Sequence, residues 1–190
     1  NAHHLTWQFL TEITLFPYQS VILKAWLIRN FSMNIISRGG SKSFMLAIFA
    51  ALYSVINPGA RIVVCSSGFR RARAVLEQVD KFLKLETASL LRQCYPMDLR
   101  RRNDEYRIDI NDGFITALPL SSTSTLRGQR ADIVLFDEGL LCPEDVWNEQ
   151  IKPFLVAKSG IQEIMQIREI EDFLILRLSV ESPRSLIKTS

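Results

Sequence analysis

A loop rich in glycine and serine carries one lysine that could bind phosphate. It reads Arg38-Gly39-Gly40-Ser41-Lys42-Ser43 and lies between two apolar segments. A loop between a buried strand and a helix can direct backbone N–H groups and the positive helix end toward a phosphate. In the usual pattern, GxxxxGK[ST], Lys42 would bind the phosphates and Ser43 the magnesium ion. Ile36 and Ser41 replace the two glycines of that pattern, so an ordinary glycine loop that caps a helix is the alternative.

Two adjacent carboxylates, Asp137 and Glu138, provide a second chemical element. They follow four consecutive apolar residues, Ile133–Phe136, which is typical of a strand buried on both faces. A magnesium nucleotide needs a carboxylate on the neighbouring strand, and Asp137 supplies it. Glu138 could orient or deprotonate the water that attacks the γ-phosphate. The pair therefore indicates ATP hydrolysis; capping of a following helix is the alternative.

The elements that would position these residues alternate between strand and helix. Apolar periodicity and breaker residues predict a helix from Pro17 to about Asn30, a strand at Met33–Ser37, a helix at Lys42–Ile56, a strand at Arg61–Ser66 and then an amphipathic helix. Such a β-α-β-α order implies a parallel sheet.

The second half of the chain adds a hairpin and further elements. Tyr106–Ile110 and Phe114–Leu118 read as strands joined by a turn, and we expect the hairpin to be an insertion on the sheet. Pro143 opens a predicted helix toward Phe154, and Phe173–Val180 reads as a further strand.

Length and composition place the chain among globular proteins. With 190 residues, 47% hydrophobic and 23% charged, we expect one domain over residues 1–190. No apolar stretch reaches the roughly 20 residues of a membrane span, and we read no secretory signal. The start at Asn1 suggests a fragment or a processed chain. The net charge of +3 does not identify a nucleic-acid binder. Cys65, Cys94 and Cys142 have neither disulfide nor zinc spacing.

Four features together resemble the ATPase domain of the large terminase subunit of tailed bacteriophages. Phe16-Pro17-Tyr18-Gln19 resembles its adenine-sensing motif, and Ser37–Ser43 its deviant P-loop with an arginine at the start. Leu126–Asp132 resembles the approach to its Walker B strand, which would be Ile133–Glu138. The similarity covers roughly Phe16–Leu155.

The resemblance implies an ATP-driven motor that uses ATP and Mg²⁺ in the host cytoplasm. Its partners would be double-stranded DNA, further copies of itself in a ring, the portal protein and the small terminase subunit, with no membrane involved. Gln19 would contact adenine, Arg38 would sense the phosphates, and Arg127 would be an arginine finger toward a neighbouring subunit. The implied site residues are catalytic Glu138, Arg127 and Arg38, nucleotide-binding Gln19, Arg38, Gly39, Gly40, Ser41, Lys42, Ser43 and Phe44, and metal-binding Ser43 and Asp137. A surface ion pair for Arg127 and a helix-surface position for Gln19 are the alternatives.

Some features depart from this family. The family also carries a nuclease domain with a metal-binding carboxylate cluster, and no such domain is predicted here. Glu169, Glu171 and Asp172 are the carboxylates considered for that role, and they read instead as a solvated charge run. A coupling motif after the Walker B strand has only Ser179 or Ser182 as candidates.

Two basic groups could contact DNA phosphates without reading bases. They are Arg70-Arg71-Arg73 and Arg100-Arg101-Arg102, and a solvated face is the alternative for each. His3 and His4 lie near the start of the sequence and do not indicate a metal site.

We therefore predict a three-layer α/β P-loop NTPase fold of the RecA-like (ASCE) type, with a mainly parallel central sheet and an inserted hairpin. The ATP site would lie at the carboxyl ends of the strands. A helicase-like translocase, or a binding and scaffold module that holds ATP without turnover, remains the alternative function.

Overall fold

A computed structural model describes residues 7–8, 11–29, 31–36, 39–66, 68–93, 106–110, 112–119, 131–137 and 172–177. The elements in chain order are α1 (Pro17–Ile28), β1 (Phe31–Ile35), α2 (Lys42–Ile56), β2 (Arg61–Ser66), α3 (Phe69–Lys84), a 3₁₀ turn (Glu86–Ala88), α4 (Ser89–Gln93), β3 (Arg107–Ile110), β4 (Gly113–Pro119), β5 (Ile133–Asp137) and β6 (Asp172–Arg177).

The strands form one mixed sheet in the order β1-β6-β5-β2-β4-β3. β2 pairs in parallel with both β4 and β5. β6 is antiparallel to both β1 and β5, and β3 is antiparallel to β4. Two successive antiparallel pairings leave β1 running in the direction of β5, so β1, β5, β2 and β4 share one direction. The predicted α/β fold with a mostly parallel sheet is therefore confirmed, with β6 and β3 reversed.

The predicted bounds of β1 and the predicted place of the hairpin need correction. β1 is Phe31–Ile35 rather than Met33–Ser37, because its register with β6 runs from Phe31 opposite Leu176 to Ile35 opposite Asp172. The hairpin of β3 and β4 forms as predicted, but it is not merely added to the sheet, because β4 is a direct neighbour of β2.

The predicted bounds of α2 and β2 agree with the structure. Other predictions differ from it or concern residues outside the described ranges. The predicted strand at 173–180 corresponds to β6, which begins at Asp172, a residue expected in a solvated charge run. The sequence did not indicate the 3₁₀ turn or α4. The helix from Pro143, Glu169, Glu171, Ser179 and Ser182 lie outside the described residues.

The central strands bury both faces of the sheet. α2 and α3 pack on one face, where Ile62 and Val64 of β2 lie beside Ile133 and Leu135 of β5. On the opposite face, Cys65 of β2 is fully buried as well. Side chains alternate along a strand, so Ser66 and Asp137, which are paired in register, belong to the face of α2 and α3. The carboxyl ends of β2 and β5 therefore present polar groups toward the start of α2.

α2 is buried almost all round, which fixes its position over the sheet. Ten consecutive residues from Met45 to Ser54 are buried, as expected for a helix that is apolar on every side. Trp26 of α1 packs edge-to-face on Phe49 of α2, with ring centroids 5.8 Å apart. In the part of the chain that the structure describes, no helix has the length and apolar character needed to cross a membrane.

Backbone contacts hold the starts of β2, β4 and β5 together. The Asp132 side chain accepts a hydrogen bond from the backbone N–H of Arg61 at 3.0 Å, and the Asp132 N–H donates to the Arg61 carbonyl at 2.8 Å. The Phe114 N–H donates to the carbonyl of Ala60 at 2.9 Å. At Gly113, a Cβ atom would clash with the backbone of Ala60.

We expect Gly113→Ala to lower the free energy of unfolding by about 1–3 kcal/mol, because an added methyl group forces the hairpin away from β2. Urea denaturation would measure the change. Gly68→Ala is the control, since a Cβ atom there meets nothing within 4 Å and costs less than about 1 kcal/mol as a cap change. Equal stability of the Gly113 variant and wild type would contradict the close approach.

Candidate functional site

A hydrogen bond joins the start of α2 to the end of β5. The Ser43 hydroxyl donates to Asp137 Oδ2 at 3.2 Å, across 94 residues of sequence. Ser43 is the second residue of α2, and Asp137 is the last residue of β5. The structure therefore brings together the two residues that the sequence predicts as metal ligands.

The Asp137 carboxyl is buried, and neighbouring groups offset only part of the cost of burying its charge. Burial raises its pKa above the ordinary value of 3.8, while the Ser43 hydrogen bond and the charges of Lys42 and Arg71 lower it. Asp137 is only 8% exposed, so desolvation of the carboxylate outweighs these attractions. A cation bound to the Asp137 carboxylate would stabilise its ionised form.

The oxygen donors at this position fit magnesium. Mg²⁺ prefers oxygen ligands and is commonly held by one or two protein groups together with phosphate and water. Ser43 and Asp137 offer a hydroxyl and a carboxylate 3.2 Å apart. Within the described ranges, no cluster of three histidine, cysteine or carboxylate side chains could hold a metal ion.

The loop between β1 and α2 keeps the backbone of a glycine loop despite its departure from the usual pattern. Gly39 has φ +81°, and no atom lies within 4 Å of a Cβ built there. Ser41 has φ 60° and ψ 32°, the left-handed conformation that glycine favours. The Ser41 carbonyl accepts the first hydrogen bond of α2, from the Met45 N–H at 2.9 Å. Ser41 thus differs from the second glycine of the pattern in residue type, but it adopts a conformation that glycine favours.

The side chains of Lys42 and Phe44 have different surroundings. Lys42 is the first residue of α2, half-buried, and its charge acts on the Asp137 carboxyl. The Phe44 ring packs edge-to-face on Phe82 of α3 at 5.4 Å. Phe44 would therefore reach a nucleotide through its backbone N–H only. Gly40 lies between Gly39 and Ser41 and is half-buried.

Gln19 is not a helix-surface residue. It is 3% exposed, and its Oε1 accepts a hydrogen bond from the Phe16 N–H at 2.9 Å, which caps the start of α1. Phe16 and Tyr18 are exposed and stack on each other with centroids 6.1 Å apart. A direct contact of Gln19 with adenine stays a prediction.

The other predicted site residues lie outside the described ranges. These are Arg38, Arg127 and Glu138, together with the second basic group at 100–102, His3, His4, Cys94 and Cys142. Cys65, the described cysteine, is buried and forms no disulfide.

Two of the three arginines of the first basic group, Arg71 and Arg73, have different surroundings. Arg73 forms an ion pair with Glu77 at 2.9 Å and lies 4.7 Å from the centroid of the Tyr106 ring. The positive charge of Arg71 lowers the pKa of the Asp137 carboxyl. The sequence predicted Arg71 only as a candidate DNA contact, because no local pattern relates it to Asp137, 66 residues later. The relation becomes visible only from the order of the strands in the sheet.

Fold and site together define a mixed α/β domain with a glycine-containing loop and a carboxylate at the carboxyl ends of parallel strands. More particularly, the chain is similar in structure to the large terminase ATPase domain of Thermus phage P74-26, with a TM-score of 0.51 and 19% identity over 63% of this chain and 52% of that one. An arginine-to-alanine variant of that domain gives a TM-score of 0.57 and 17% identity, over 79% of this chain and 64% of that one.

These similarities concern the fold. The chain spans between about half and two thirds of the length of the two solved structures. No protein-family model matches the sequence, and no curated protein matches it. The resemblance to the ATPase domain of phage large terminases, inferred from the sequence, is confirmed at the level of three-dimensional structure.

We expect Asp137→Asn to leave the ligand-free protein at least as stable as wild type. The pKa of Asp137 is raised, so its ionised form disfavours folding, and this cost is fully present at neutral pH and absent below pH 3.8. Asparagine keeps an acceptor for Ser43 without the charge. The variant should also lose any magnesium-dependent stabilisation by nucleotide. Urea denaturation with and without magnesium and ADP measures both; a loss above about 1 kcal/mol in the ligand-free protein contradicts this account.

The left-handed backbone of Ser41 predicts opposite effects of two substitutions. Ser41→Gly should keep the stability of wild type or raise it by up to about 1 kcal/mol, because glycine adopts this conformation without strain. Ser41→Val should lower it by at least about 1 kcal/mol, because a β-branched residue is strained there. Thermal and urea unfolding compare the two proteins, and equal stabilities would show that Ser41 is not held at positive φ.

Proposed function

We propose that this chain is an ATPase domain that binds and hydrolyses magnesium ATP at the loop between β1 and α2. The observation that carries the proposal is the hydrogen bond between Ser43 and Asp137. It joins the first turn of a helix after a glycine-containing loop to the end of a central strand, which is where open parallel sheets bind ligands. The three-dimensional similarity to a terminase ATPase domain supports it.

The loop and the start of α2 would hold the phosphates of ATP. Positive φ at Gly39 and Ser41 turns the backbone so that successive N–H groups can face an anion. The positive end of the α2 dipole and the Lys42 ammonium add to the attraction. Ser43 and Asp137 would hold magnesium, which supplies neutralisation of the phosphate charge when it is bound.

Hydrolysis requires a group beyond the metal ligand. Glu138 follows Asp137 directly and would orient the attacking water and accept its proton as the bond to the γ-phosphorus forms and the β–γ bridging bond breaks. Arg38 would contact the phosphates, and Arg127 would act on a neighbouring subunit's nucleotide. Gln19 would contact adenine, and its burial at the start of α1 supports a role in ordering that motif.

At the level of the whole assembly, we propose that the domain drives translocation of double-stranded DNA into a procapsid. It would do so as the ATPase part of a large terminase subunit, in a ring on the portal protein, with the small terminase subunit, in the host cytoplasm. The supporting observations are the similarity of the fold to a phage terminase domain and the sequence motifs around Gln19, Lys42 and Asp137.

We expect magnesium-dependent ATP hydrolysis that fails differently in two variants. Lys42→Ala should weaken ATP binding, because a cation is removed from the phosphates. Glu138→Gln should lower kcat by about 10²- to 10⁴-fold while ATP remains bound, as for loss of a general base. Lys24→Ala is the control, since Lys24 is an exposed lysine of α1. Steady-state turnover and equilibrium binding are measured over a range of protein concentrations, with and without double-stranded DNA.

The outcomes separate the proposal from its alternatives. Turnover that rises with self-association and is stimulated by double-stranded DNA supports the packaging motor. Stimulation by single-stranded DNA alone would favour a helicase-like translocase. ATP binding without turnover at any concentration would favour a scaffold module. Absence of ATP binding would exclude the nucleotide site itself.

A further inference from the structure

Ser66 and Asp137 end two adjacent parallel strands. Ser66 is the last residue of β2, Asp137 is the last residue of β5, and their Cα atoms are paired in register. Each lies two residues after a core residue, Val64 or Leu135, so both belong to the face of the sheet that α2 and α3 cover. Neighbouring strands are about 4.8 Å apart. A rotation about the Cα–Cβ bond of Ser66 can therefore turn its hydroxyl toward the Asp137 carboxyl.

The Ser66 side chain is buried with its hydrogen-bonding capacity unused. The residue is fully buried, and its Oγ has no hydrogen-bond partner among the described residues. Two other buried hydroxyls, those of Thr11 and Ser54, each donate to a backbone carbonyl four residues earlier, at 2.8 and 2.7 Å. A hydroxyl buried without a partner costs free energy, so such a group needs an explanation. The place of Ser66 beside Asp137 indicates a partner that becomes available when the site is occupied.

A carboxylate that binds a metal ion is usually oriented by a further hydrogen-bond donor. In the structure, Asp137 Oδ2 accepts from the Ser43 hydroxyl at 3.2 Å. Both residues are the proposed magnesium ligands, so the Ser43 oxygen would be directed to the metal ion when the site is filled. The carboxylate would then need a donor on the side of β2. Ser66 is the residue of β2 that is paired with Asp137, and its hydroxyl has an O–H to donate.

We propose that Ser66 is a positioning residue of the magnesium site, whose hydroxyl donates a hydrogen bond to the Asp137 carboxylate when that carboxylate binds the metal ion. This inference rests on the proposed function. Without metal, the hydroxyl has no partner among the described residues and does not stabilise the fold. With metal bound, it holds the carboxylate in the orientation that presents an oxygen to the ion. Ser66 therefore affects the affinity for magnesium nucleotide and not the stability of the nucleotide-free protein.

Calorimetric titration with ADP, in magnesium and in EDTA, tests the role of Ser66 without relying on turnover. Ser66→Ala should weaken ADP binding about 10- to 100-fold in magnesium, the loss typical when an outer partner of a metal ligand is removed. ADP binding in EDTA should be unchanged. Ser66→Cys keeps the size of the side chain but is a weak donor, so it should show the same loss. Ser66→Thr keeps a hydroxyl and should recover most of the affinity.

Ser54→Ala is the matched control, because it removes another buried serine hydroxyl, near the end of α2 that is remote from Ser43. It should leave the effect of magnesium on ADP binding intact. Urea denaturation of the nucleotide-free proteins is measured beside the titrations, and Ser66→Ala should have the midpoint of wild type or a higher one.

The results also separate this inference from the proposed function. If wild type binds ADP no more tightly in magnesium than in EDTA, the proposed metal site fails and the role of Ser66 fails with it. If wild type shows the magnesium effect and Ser66→Ala keeps it as fully as Ser54→Ala does, the role of Ser66 alone is wrong. If Ser66→Ala weakens ADP binding equally in magnesium and in EDTA, or lowers the urea midpoint of the nucleotide-free protein, Ser66 supports the fold and does not position Asp137.

Discussion

The contact between Ser43 and Asp137 is the constraint on which the site depends, and it requires two structural units to be placed accurately. Asp137 is positioned by the parallel register of β5 with β2, which the contacts between Asp132 and Arg61 fix at the start of the strands. Ser43 is positioned by α2, whose long buried segment leaves it little freedom to shift over the sheet. Because interiors are closely packed, a change in either unit would be transmitted to the 3.2 Å contact.

The same place in the molecule carries features that do not favour folding. Asp137 is buried with a raised pKa, Ser41 has a left-handed backbone, and the Ser66 hydroxyl is buried without a partner among the described residues. Unfavourable groups of this kind persist where the surrounding structure enforces them, and they cluster at functional sites. Each of the three would be relieved or used by an anionic ligand with a bound cation. Their concentration at one edge of the sheet is the physical argument that the site binds a ligand.

The sequence predicted the local elements well and the non-local pairings less well. α2 and β2 have the predicted bounds because apolar runs end at strong breakers, Asn57-Pro58-Gly59 among them. β1 differs by two residues, because its length is set by pairing with β6, more than a hundred residues later. The place of β4 beside β2, and the reversed direction of β6, are likewise set by pairing that no local pattern encodes. The juxtaposition of Ser43 with Asp137 was predictable from motif order, whereas that of Arg71 with Asp137 was not, since it depends on which strand neighbours β5. The left-handed backbone of Ser41 explains how a loop that fails the usual glycine pattern can still keep its geometry.

The central claim is that Ser43 and Asp137 are brought together to hold a metal ion on the phosphates of a nucleotide. A crystal structure of the protein with magnesium and a non-hydrolysable ATP analogue tests it most directly. The account predicts a metal ion about 2.1 Å from Ser43 Oγ, with Asp137 bound to it directly or through water and with the phosphates against the backbone N–H groups of Gly39 to Lys42. A nucleotide bound elsewhere, with the hydrogen bond between Ser43 and Asp137 unchanged, would contradict it.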